Sequence, residues 1–540
     1  MNSPNNPQGN RIARWTILAC ISLPTAWPQQ VTIEIKDFAA MPITGAVDGA
    51  SNVGYLARVN SMREEPGGTG RSFVADMNGP LYILDKKSKK PTLYLDFNGR
   101  QEKGGLFRKM VTEGGLSQGF VSVQLDPDYA RNGKFYTIHV EDPAAPGSAV
   151  PDNTNFPGLK IAGYTLTPPI RTPGSTVMRE GVLIEWTDTN TSNTTFEGTA
   201  REILRIELNR SMHPLDDMIF NPAAKRGDAD WRVMYLACGD GGSGESPDAK
   251  TRMNPQRLDT MVGKIHRIIP DLAEHTPTSV VSENGRYRIP NNNPFFNTPG
   301  ARKEIWAYGL RNPNRLMWDV DPADPTNNHL IASVVGLRTW ETVIIVHKGA
   351  NYGYSLREGN EQLNADNRTS PLPEVDKIPL QIDETKTGGM VVPTYPVIQY
   401  GHVPGGGDAV TSGYVYRGKS IPALNGKFIF GDITTGHVWW ADFKEMLTAD
   451  DGDPKTIARI HEVPILWDRP DGAKELYPTM SPITLAAYHT RGGKKENLPG
   501  FARVSGGRAD IRFMTDAAGE LYILSRSDGM IRQVIGATVK

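Results

Sequence analysis

The stretch Glu304–Asp319, EIWAYGLRNPNRLMWD, sets a guanidinium beside an amide, Arg311 next to Asn312, just after Gly309. Arginine offers a planar fork of donors that matches a carboxylate, and asparagine adds a donor and an acceptor beside it. The pair suits a buried anionic ligand. Alone it would read as a surface arginine and a turn asparagine, with a sharp turn at Asn312-Pro313. Companions on both sides, Asp240 and Asn351, favour the ligand reading.

Other candidates come in chain order. His213 opens HPLDDMIFNP, and Asp240 sits among glycines in GDGG. Glycine lets backbone approach a ligand closely, although an Asp among glycines is as often a plain turn. His213 and Asp240 flank one expected pair of strands, so an imidazole and a carboxylate are expected close together. Gly336-Leu337 follows the strand-like LIASVV, a place where carbonyl oxygens can meet a hard cation. Tyr352 and Tyr354 in ANYGYSLREGN suit a pocket wall or a core equally. His402 precedes a glycine loop, PGGGD.

These residues need a scaffold, and the chain spells strands nearly everywhere. SFVADM, PLYILD, PTLYLDF, GKFYTIHV, VLIEW, RVMYLACGD, KIHRIIP, KFIFGD, HVWWADF and ELYILS are short and rich in Val, Ile, Tyr, Phe and Trp. Each is bounded by turn residues. Helical periodicity is scarce; KEMLTAD offers one or two turns. MNGPLYILD near the start and AAGELYILS near the end repeat one strand–turn–strand unit. Such repetition predicts an all-β fold, a six-bladed β-propeller with long irregular loops, whose first and last units share a blade. DTNTSNTTFEGTA and IPNNNPFFNTPG read as loops inside one domain, residues 30–540.

The 55 glycines and 41 prolines suit many tight turns. Charge is balanced, 59 basic against 60 acidic residues, so no net field draws nucleic acid or an anionic membrane. No apolar run reaches membrane-spanning length, and a soluble chain is expected. Residues 1–29 place Arg11 and Arg14 before the apolar WTILACISLPTAW, the order of a secretory signal, which predicts a periplasmic or secreted protein. There are two cysteines, Cys20 and Cys238, and no Cys-x-x-Cys or haem-attachment motif.

FNP…DWRVMYLACGDGG, LDTMVGKIHRI, EIWAYGLRNPNRLMWD, GANYGYSLREGN and TSGYVYRG…GKFIFGDITTG occur in this order. Together they resemble the soluble quinoprotein glucose/sorbosone dehydrogenase family, pyrroloquinoline quinone (PQQ)-dependent enzymes on a six-bladed propeller. The resemblance implies oxidation of an aldose at its anomeric carbon by hydride transfer to PQQ. It makes His213 the general base and Asp240 an acid near the sugar. Arg311 and Asn312 become cofactor-holding residues, as does Arg508, which is one position out of register with a family arginine. Gly336 and Leu337 take the place of the carbonyls that bind Ca2+. A separate electron acceptor is implied.

The chain departs from the family at Thr434, where a cofactor-pairing lysine is usual. It departs at Met212, where the glucose enzyme has an acid, and at Ser117 and Asp126, which replace the family's usual amide or acid and its histidine. Two alternatives follow: a cofactor-less propeller that serves as a binding module, and a calcium-dependent lactone or ester hydrolase.

Overall fold

The structure, a computed structural model, describes residues 30–45, 54–113, 117–174, 176–402, 406–500 and 506–540. The expected signal at residues 1–29 lies outside them. The chain is mostly β with few helices. Among the described residues six sheets have four or more strands. The first joins Val59–Glu64, Arg71–Asp76, Pro80–Asp85 and Pro91–Asp96 in sequence order. The second begins at Phe120–Leu125, the third at Leu215–Phe220, the fourth at Asn312–Val320 and the fifth at Tyr414–Val415. The sixth holds Ile511–Thr515, Leu521–Ser525 and Met530–Val539. It is extended by the early strand Val31–Ala40, which pairs antiparallel with Met530–Val539. Two further strands, Ile465–Asp468 and Lys474–Tyr477, cover the outer edge of that early strand. The two ends of the described chain thus close one sheet through Val31–Ala40, whereas the repeated units themselves lie in different sheets, MNGPLYILD in the first and AAGELYILS in the sixth.

A separate core layer fills each gap between consecutive sheets. Phe73, Ile83, Phe120 and Trp186 join the first to the second. Ile138, Leu204, Met218 and Leu236 join the second to the third, and Ala237, Ile265, Leu316 and Ala332 the third to the fourth. Met317, Val343, Phe428 and Trp439 continue to the fifth, and Ile429, Trp440, Ile511 and Ile523 to the sixth. Val59, Val74, Tyr522 and Leu524 close the cycle from the sixth to the first. Both faces of each sheet are therefore covered. This is why Met234–Cys238 and Lys264–Ile268 are buried at every position rather than at alternate ones.

Lys264 is the costly member of that buried run. Its Nζ donates to the carbonyls of Asn254 (3.1 Å), Pro255 (2.9 Å) and Val262 (2.7 Å), and burial pushes its pKa down to about 7. It pins the loop behind Asp240.

KEMLTAD is a helix in the structure, Phe443–Ala449, and a second helix, Ser481–Thr490, has no strong sequence signature. Gly198–Leu208 begins inside the polar stretch expected to be loop, because it pairs along its length with Arg179–Asp188. Asn312-Pro313 is not the turn. It opens the strand Asn312–Val320, and the chain reverses at Gly309, whose φ is +73°. A Cβ there would lie 2.2 Å from Asn351 Oδ1, so the position requires glycine. Among the described residues no helix is long and apolar enough to cross a membrane.

Candidate functional site at the rim of the sheets

Antiparallel alternation explains how distant residues meet. The connection between the second and third strands of a sheet, and the connection from its last strand to the next sheet, fall at the same end. Asp240, Gly336 and Thr434 occupy connections of the first kind; His213, Arg311 and Arg508 occupy the second kind.

The pair at the third sheet is direct. Leu215 is paired with Cys238, so the chain on either side brings His213 beside Asp240. His213 Nδ1 lies 2.6 Å from Asp240 Oδ1. An ionised carboxylate only accepts, so Nδ1 carries the hydrogen and Nε2 is left as the nitrogen that can take a proton. Asp240 is fully buried and also accepts from the amides of Gly242 (2.8 Å) and Gly244 (2.9 Å). Burial alone would push its carboxyl up; His213, Arg311 and the Gly242 amide outweigh burial and hold it below the ordinary carboxylate range. His213 has φ +49°, an uncommon state for a residue with a side chain. A Cβ at residue 239 would come within 2.5 Å of the His213 carbonyl oxygen, so Gly239 is what permits the approach.

Arg311 joins this pair through the main chain: the Asp240 amide donates to the Arg311 carbonyl at 2.7 Å. Its guanidinium is already partnered. Nε donates to Glu245 Oε1 (3.1 Å) and Nη2 to the same oxygen, while Nη1 donates to the carbonyls of Gly336 and, at 3.3 Å, Val335. Burial opposes the charge, but Tyr354, Glu245 and Asp240 outweigh it and hold Arg311 firmly protonated. Two buried polar atoms nearby have no hydrogen-bond partner, Asn312 Oδ1 and the Tyr354 hydroxyl. Such atoms cost about 1–3 kcal/mol each when left unpaired.

The Gly336–Leu337 turn is held by two acids that the sequence does not announce. Glu358 Oε1 accepts from the amides of Leu337 (2.8 Å), Arg338 (2.8 Å), Thr339 (2.9 Å) and Trp340 (3.2 Å). Glu341 accepts from the amides of Gly336 (3.1 Å) and Val410 (2.7 Å) and meets His402 Nε2 at 2.6 Å. Burial raises the Glu341 carboxyl to about 7, against the pull of His402. Glu358 stands in the ANYGYSLREGN segment but nothing there marks its role, and Glu341 stands in no recognisable motif. Each works by catching backbone amides that a one-letter string does not show. Glu245 is more findable, as it closes the same GDGGSGE run as Asp240.

Arg508 is on the same rim but not in the same cavity. Arg311, Gly336, Tyr354 and Glu358 line a small void of about 40 Å³, whereas Arg508 lines another of about 240 Å³. Thr434 Oγ1 donates to Asp408 Oδ2 at 2.6 Å, and Arg508 Nη1 lies 3.5 Å from that oxygen. Asn351 braces the loop rather than facing a ligand. It exchanges hydrogen bonds with Gln256 at 2.8 and 3.1 Å and accepts from the Gly353 amide. Asp126 is occupied by an ion pair with Arg232 (2.9 Å), away from any ligand role.

A carboxylate-bearing cofactor suits Arg311, Asn312 and Tyr354 by donor chemistry, yet about 40 Å³ admits water and not fused rings. Arg311 is free to meet such a carboxylate only if Glu245 releases it. Calcium does not fit the Gly336 oxygen while Arg311 donates to it. Among the described residues no group of three or more His, Cys, Asp or Glu is placed to hold a metal ion.

Known proteins are similar to this chain to different extents. HIPL2 protein of Arabidopsis thaliana is 27% identical over 409 residues, covering 71% of this chain and 51% of that protein. Aldose sugar dehydrogenase YliI of Escherichia coli (strain K12) is 34% identical over 105 residues, 19% of this chain and 23% of that protein. A solved glucose dehydrogenase shares the fold with a TM-score of 0.50 at 16% identity, covering 91% of this chain and 99% of the other. The chain spans about half the length of the HIPL relatives it matches. Residues 227–473 match the model of the Glucose / Sorbosone dehydrogenase family, a stretch that includes Asp240, Arg311, Gly336 and Thr434.

Proposed function

We propose that this chain is a PQQ-dependent sugar dehydrogenase on a six-bladed β-propeller, oxidising an aldose at its anomeric carbon. The closed cycle of six core layers supports the scaffold. The observation that carries the activity is the His213–Asp240 pair at 2.6 Å. A buried carboxylate fixes the imidazole in one tautomer and leaves Nε2 free to accept a proton, which a purely structural rim has no need of. His213 Nε2 takes the proton of the sugar hydroxyl, which must come within about 2.6–3.2 Å. Asp240 stabilises the imidazolium that forms. Bound PQQ supplies the two-electron acceptor, and a separate partner would reoxidise it.

Arg311 and Asn312 would hold the cofactor's anionic edge. The exchange at Arg311 trades one carboxylate, that of Glu245, for another, so it loses no class of interaction. Thr434 provides no positive charge where a lysine would. Calcium at Gly336 and Leu337 requires Arg311 to leave the Gly336 oxygen first, and no step depends on it here. Export directed by residues 1–29 belongs to the same proposal.

One observation favours a second reading. If Glu245 keeps Arg311, the void beside it holds water alone and the rim is a binding surface without redox chemistry. Titrating the full chain with PQQ, with and without Ca2+, separates the two. The enzyme reading expects a change in PQQ absorbance and aldose-dependent dye reduction, with His213→Ala cutting turnover about 10³-fold at an unchanged melting temperature. No absorbance change and no dye reduction across a panel of aldoses would establish the binding module instead.

A further inference from the structure

One buried ammonium sits between the two connections that carry Asp240 and Arg311. Lys264 opens the strand Lys264–Ile268 and is fully buried. Its four partners are all neutral oxygens: the carbonyls of Asn254 (3.1 Å), Pro255 (2.9 Å) and Val262 (2.7 Å), and the Thr260 hydroxyl (3.4 Å). Buried charges are normally paired with an opposite charge, and a methionine would fill a similar volume at lower cost. The cage explains the exception. An ammonium has three hydrogens and no lone pair, so it suits a ring of acceptors. A neutral amine has two hydrogens and turns a lone pair toward one of those oxygens.

Both connections lean on the loop that forms this cage. The Pro255 carbonyl that accepts from Lys264 also accepts from the Gly309 amide (3.1 Å), at the turn before Arg311. Gly263, next to Lys264, donates to the Gly239 carbonyl (2.9 Å) and accepts from the Leu310 amide (3.1 Å). Those two contacts fall just before Asp240 and just before Arg311 in the chain. From the same loop, Gln256 Nε2 donates to the Tyr354 carbonyl at 2.6 Å. A single side chain therefore closes the loop against which Asp240, Arg311 and Tyr354 are all set.

We propose that Lys264 is a positioning residue for the dehydrogenation, its ammonium holding the Asp240 and Arg311 connections in place so that turnover follows the protonation of its amine. The inference rests on the dehydrogenase reading. Burial pushes Lys264 down to about 7, outweighing the pull of Asp259, and Arg257 adds to the fall. Cys238 and Tyr308 are paired with Lys264 in register on the two neighbouring strands. Burial pushes that thiol and that phenol up, Tyr308 to about 12, and pushes His266 on the same strand down to about 3, so none of them titrates with Lys264. The charged form is lost as pH rises through about 7. Turnover then falls on the alkaline side, opposite in sign to the rise expected as His213 becomes neutral.

The test follows kcat and KM of the PQQ-loaded full chain against pH, for the parent protein, Lys264→Met and Lys264→Gln. Parent kcat should fall about tenfold between about pH 7 and pH 9 and then level off. Lys264→Met should lower kcat about tenfold at about pH 6.5, leave KM within about twofold and show no alkaline fall. Lys264→Gln keeps neutral donors and loses the titration, so it should recover part of kcat with the same flat alkaline limb; it decides the matter if Lys264→Met fails to fold. Hydrogen exchange of the same chains without PQQ reads the pin itself. The Gly263 and Leu310 amides should exchange about tenfold faster in Lys264→Met, with the strand Val59–Glu64 unchanged. Parent-like kcat in Lys264→Met, or an alkaline limb that survives in both variants, overturns the proposal and leaves the dehydrogenase reading intact. An equal loss of kcat at every pH, with faster exchange throughout the chain, also overturns it, as plain loss of stability. No turnover in the parent chain removes the dehydrogenase reading instead; faster exchange at Gly263 and Leu310 would then leave Lys264 a structural pin with no part in a reaction.

Discussion

Between the third and fourth sheets the rim is tied by several main-chain hydrogen bonds and a carboxylate that gathers amides; between the fifth and sixth the bond from the Ala509 amide to the Thr434 carbonyl (3.0 Å) is joined mainly by side-chain contacts. On the first arc the Asp240 amide grips the Arg311 carbonyl, the Gly241 amide grips the His213 carbonyl, and Glu358 gathers four consecutive amides. On the second, Thr434, Asp408 and Arg508 meet through a hydroxyl, a half-exposed carboxylate and a long guanidinium. Backbone anchoring fixes position to a fraction of an ångström, as proton transfer demands. Side-chain anchoring leaves room, and the larger cavity lies on that arc. One rim can thus carry a rigid chemical device and a looser pocket on separate arcs.

The contrast is most vulnerable at Asp240. Asp240→Asn keeps the shape and removes the charge that selects the His213 tautomer. If the first arc is a catalytic device, kcat for PQQ-dependent aldose oxidation falls about 10²–10⁴-fold while KM changes little. A variant within twofold of the parent protein would make the pair a structural contact and erase the distinction between the arcs.

A smaller effect is expected at Arg311 and Glu245. Arg311→Leu removes a charge-assisted partner worth about 1.5–3 kcal/mol, so the dissociation constant for PQQ rises about 10–100-fold. Glu245→Gln should move it the other way, by about tenfold, because the internal competitor loses its charge. Opposite signs in the two variants, read by fluorescence titration, identify Glu245 as the plug. Weakening in both would show that Glu245 itself holds the ligand side of the cleft.

What is legible in the sequence depends on the kind of interaction involved. Val, Ile and aromatic runs such as VMYLAC and KFIFG are strands because both faces are covered, and their bounding glycines mark the turns. His213 and Asp240 can be read together because they flank one pair of strands, and antiparallel pairing must bring such flanks together. Gly336 reads as a turn, and it is one, but its engagement by Arg311 is hidden, since a carbonyl has no letter of its own. Helix Ser481–Thr490 is hidden too, because its apolar residues form no clear stripe; it is held by packing of Ile483, Ala487 and Tyr488. The neighbourhood of Arg508 in sequence points to the wall of one pocket. The long excursion before the sixth sheet gives it another, and nothing local announces that.

The smallest expected effect lies beneath the rim, on the axis. Asp216 stands three residues beyond His213, on the strand Leu215–Phe220; it is 3% exposed, and its Oδ2 has no hydrogen-bond partner. Burial raises its carboxyl to about 8, with Asp217 adding to the rise and Arg315, Arg512 and Arg526 opposing it. In the unfolded chain the same carboxyl ionises near about 4. Between about pH 4 and 8 the folded chain therefore keeps a proton that the unfolded chain has lost. Stability from this group is complete at the acid end of that window and declines as pH rises through it, by at most about 1.4 kcal/mol per unit. Asp216→Asn removes the titrating group and keeps the shape, so the fall in melting temperature between pH 5 and pH 8 should shrink. The rim should be indifferent: the His213-dependent rate at fixed pH stays within about twofold. An unchanged melting profile would mean that Asp216 is ionised in the fold and paired with the arginines of the axis, and a parallel loss of activity would mean that axis and rim work as one unit.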